Sequence, residues 1–143
     1  MIEALLVLIS FLGLIVGITL ALIAPEELKD GRKYFVWVKF VLLLLIIGIS
    51  VFFSMNYYLA IPIIIAAGLF FYKREYMFLP AFAAFVKDAN GLFILYSLLF
   101  LYGLPVGSLT KEKTFWATAK KLLMRHIAYI AVGIAAIVIK NYI

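Results

Sequence analysis

The residues best equipped for chemistry in this chain are Glu26, Glu27 and Asp30, within the stretch "APEELKDGRKYFVWVKF". Glu26 and Asp30 are four apart, so a helix would set both carboxylates on one face. There they would hold a hydrated divalent ion at a membrane surface. Membrane enzymes that transfer phospho-alcohols or prenyl groups use paired acidic motifs in this way. The second acidic motif of such enzymes is missing, because the other acids are single: Glu3, Glu75, Asp88 and Glu112. Lys29, Arg32, Lys33 and Lys39 are interspersed with and follow the three acids, so charge pairing and solvation account for them better than a metal does. His126 is the single histidine and has no carboxylate within six residues, which removes a His-based triad or a two-His metal site within one chain. Cysteine is absent, which removes disulfides, thiolate metal sites and thiol redox chemistry. No phosphate loop, dinucleotide fingerprint or nucleophile elbow is present. The expectation is a protein that is not an enzyme and carries no cofactor, with a lipid-modifying membrane enzyme built on the acidic stretch as the minor alternative.

The elements that must position these residues are read from composition. Of 143 residues 68% are hydrophobic and 14% charged, and the mean hydropathy is +1.19. A soluble domain of this size carries roughly 25% charged residues and buries only about 70% of its surface. Lipid must therefore be the solvent for most of the chain. The net charge of +6 lies in clusters between apolar runs, the pattern of head-group contact and topology signals rather than of nucleic-acid binding. The expected fold is all-α, a single polytopic helical bundle over residues 1–143.

Ala4 to Ala24 is an apolar run of 21 residues, long enough to cross a bilayer of about 30 Å and preceded by Glu3 instead of a basic signal region. We read it as a retained first span, 4–24. Pro25, the two glutamates and Gly31 suggest one short interfacial turn over 25–30 before a second span at 34–55. The uncharged run from Phe40 to Tyr72 breaks best at "FSMNYY", where Ser54 and Asn56 can cap, giving a third span at 57–72 that contains Pro62. Lys73, Arg74 and Glu75 mark the next boundary. Tyr76 to Val86 is too short for an ordinary span, so a fourth segment, 76–87, is short or tilted. The turn signal "DANG", with Asp88 or Asn90 as cap, then opens a fifth span at 91–106 that ends near Pro105. A basic, amphipathic approach leads into the last, 117–142.

The bias of Lys and Arg decides between six segments and a five-span alternative. Basic loops 25–39 and 107–125 fall on one cytoplasmic side only with six, which leaves both termini outside a cell membrane. The loops also echo one another: Lys33, Phe35, Trp37 and Lys39 against Lys113, Phe115, Trp116 and Lys120. That is the sense expected of parallel repeats. Lys29, Arg32, Lys33, Lys39, Lys120, Lys121 and Arg125 are candidate lipid head-group contacts by snorkelling.

Polar residues deep in the helices are few and uncharged, Ser10, Thr19, Ser50 and Ser97, which weighs against a proton path. Gly13, Gly17 and Ala21 repeat every four residues, and Ala128, Ala131 and Ala135 line the last helix; small faces of this kind let backbones approach closely in lipid. The function expected is that of a small multi-pass membrane subunit or scaffold acting through helix–helix contacts, by self-association or in a larger membrane complex, with the bilayer as partner. The alternative is a small transporter or channel, formed by the repeat-like halves or by a homo-oligomer.

Overall fold

The structure is a computed structural model that describes residues 2–53, 79–86, 88–109, 116–117, 120–121, 124 and 127–142. The protein is all-helical, with α1 at Ile2–Ile23, α2 at Pro25–Phe52, a 3₁₀ segment at Leu79–Phe85, α3 at Ala89–Leu109 and α4 at Ala128–Tyr142. Among the described residues, three stretches are long and apolar enough to cross a membrane: Ile2–Ile23, Asp30–Phe52 and Ala89–Leu109. Ala128–Ile139 is a shorter apolar helix. The expected 57–72 span with Pro62, the break near Ser54, the Lys73–Glu75 boundary, Lys87, Arg125 and His126 lie outside the described residues.

Two helix boundaries differ from the sequence reading. The 25–30 turn and the break at Gly31 do not form; one helix runs from Pro25 through Phe52, so the helix that carries the span expected at 34–55 starts nine residues before 34. Ala24 alone links the two helices, and its N–H donates to the Leu20 carbonyl at 3.0 Å. Pro25 then occupies the first helical position, where its missing N–H costs nothing. Gly31 keeps a helical conformation, as no described glycine has positive φ. A glycine inside a helix costs about 1 kcal/mol, whereas stopping there would orphan four carbonyls and, at the next start, four N–H groups. Likewise α3 does not stop at Pro105 but continues to Leu109 with that proline buried inside it. Asp88 supplies the cap at its start, its Oδ2 accepting from Gly91 N–H at 2.8 Å.

The expected fourth segment, 76–87, contains a 3₁₀ helix of seven residues. At about 2 Å rise per residue this covers roughly 14 Å, half a hydrocarbon core. Leu79, Phe82 and Ala83 bury it in the core, with its main packing against α4.

The core joins all of these elements. α1 packs chiefly on α3, contributing Val7, Phe11, Leu14 and Ile18 against Leu92, Leu95, Tyr96, Leu99 and Tyr102. α2 lies on α3 from the other side through Leu42, Leu43, Ile46, Ile47 and Val51. α4 adds Tyr129 and Ile130 beside α1.

Candidate functional site

Among the described residues, α1 and α3 meet backbone to backbone. A Cβ placed on Gly13 would fall on the Phe100 carbonyl, and one on Gly17 would fall on that of Leu104. One on Gly107 would fall on the Leu14 carbonyl and lie 2.9 Å from Ile18 N. Only residues without a side chain allow backbones to meet this way, and in lipid such contact replaces the hydrophobic effect as the force that joins helices. Ser108 Oγ donates across the seam to the Gly17 carbonyl at 3.1 Å as well as to Leu104 of its own helix at 2.8 Å. Residue numbers rise together along both helices, 13 with 100 and 17 with 104, so α1 and α3 are parallel.

The neighbouring contacts fix the other directions. Phe53 lies against Gly91, so the end of α2 meets the start of α3 and these two are antiparallel. Gly133 faces Val7, and Tyr129 Oη lies 2.6 Å from Ser10 Oγ, so α4 runs antiparallel to α1. Ser10 Oγ also donates to the Val7 carbonyl at 2.8 Å, and the Tyr129 ring sits 5.5 Å from that of Phe11. By contrast the Tyr96 hydroxyl is buried without a hydrogen-bond partner. Replacing these two phenols should therefore have opposite results. Tyr129→Phe is expected to cost about 1 kcal/mol, the usual worth of an interhelical bond in a membrane. Tyr96→Phe should be neutral or stabilising, because it removes a desolvated group that gains nothing. Melting temperatures of the two variants in one detergent check this, and an equal loss in both would contradict it.

Of the small residues singled out in the sequence, Gly13 and Gly17 stand in the α1–α3 seam and Ala21 is half-buried. On α4, Ala128 is half-buried, Ala131 and Ala135 are exposed, and the inward positions are Tyr129, Gly133 and Ala136. Sequence reasoning did not find Gly107 or Ser108, although Gly103 and Gly107 have the same four-residue spacing as Gly13 and Gly17. Thr19 and Ser97 are exposed and Ser50 is buried; each donates to its own helix four residues back.

The charged start of α2 is laid out along a helix, not a loop. Glu26, Asp30, Arg32 and Lys33 are exposed. Lys39 is half-buried. Among the described residues no three acids or histidines converge as a metal site would require. Lys120 and Lys121 are helical and exposed, as are Trp116 and Met124.

No family model matches the sequence, and neither a curated protein nor a solved structure matches it.

Proposed function

We propose that this chain is a non-catalytic, multi-pass subunit or scaffold of the cell membrane that acts through lateral helix contacts. The observation that carries the reading is the imbalance of the three spans. Half of the α3 span and 39% of the α1 span are buried within the protein, but only 11% of the α2 span. A tight seam holds one part of the molecule together while a full-length apolar helix is left for other contacts. Parallel α1 and α3 support an odd number of crossings between Ile23 and Ala89. Six segments meet that condition and the five-span arrangement does not. It also sets the start of α2 and the end of α3 on one face, which the lysines and arginines make cytoplasmic, with both termini outside.

The test is the particle mass of the chain released from native membranes in mild detergent. A stable complex with other chains, or a defined homo-oligomer, is the expected result. A monomer at every concentration would overturn the subunit reading, and a homo-oligomer with a hydrated axis would favour a channel.

A further inference from the structure

We draw no further inference here: the strongest candidate, the outer apolar face of α2 on which Trp37, Val41, Leu44 and Gly48 are exposed, carries nothing because nothing in the structure shows what covers it.

Discussion

Gly17→Val is expected to break the bundle apart, with a loss of about 3 kcal/mol or more, the upper range for overpacking a well-packed interior. The neighbour at Gly17 is not the end of a flexible side chain but the Leu104 backbone, whose Cα would lie 3.0 Å from the new Cβ. Backbone cannot swing aside, so the helices must separate along the whole seam. Separation also removes the close contact at Gly13 and Gly107 and the Ser108 bond to the Gly17 carbonyl. Lipid supplies no compensating force, since tails are as apolar as the side chains they would replace. Gly48→Ala is the control. Nothing lies within 4 Å of a Cβ at that position, and exchanging an exposed helical glycine for alanine should stabilise by about 0.5–1 kcal/mol. Thermal unfolding in one detergent compares the two. A Gly17→Val protein that melts like the parent would show that the α1–α3 seam does not hold the fold.

A second large effect is expected in topology, and it is all-or-none. The chain has no cysteine, so single-cysteine variants can be labelled without background. Asn90→Cys, exposed at the start of α3, should react only with an impermeant thiol reagent added outside. Lys33→Cys and Lys120→Cys, also exposed, should react only from the cytoplasmic side. Asn90 is used because Asp88 caps α3. The physical basis is the parity that parallel α1 and α3 impose, joined to the preference of Lys and Arg for the cytoplasmic side. Labelling of Asn90→Cys and Lys33→Cys from the same side would overturn the arrangement, because an even number of crossings would then separate them, as in the five-span alternative.

Much of the molecule was legible from the order of its residues. An excess of apolar side chains forces helices in lipid, where every backbone group must be satisfied within its own segment, and the runs around Gly13 and Ser97 were long enough to mark α1 and α3. The small residues Gly13 and Gly17 could also be read as a packing face, because their spacing alone sets them on one side of a helix. What the sequence did not reveal was where the helices begin and stop around Gly31 and Pro105. Both residues are local breakers, but their cost of a few kcal/mol at most is weighed against orphaned backbone groups, and that balance depends on what surrounds the helix.

Partnership was decided by the tertiary structure alone. Spacing shows that Gly13 and Gly17 share a face, but only the fold shows that the face meets Phe100 and Leu104 in parallel. It likewise pairs Ser10 with Tyr129, 119 residues away, and leaves Tyr96 unpaired. The opening acids show the division most clearly. Their types suggested chemistry and their neighbours suggested a loop. The helix that contains them instead turns Glu26 and Asp30 outward and Arg32 and Lys39 along the line of its buried residues. Sequence fixes the period at which side chains recur, whereas the face that becomes the inside is set by the helix packed against it.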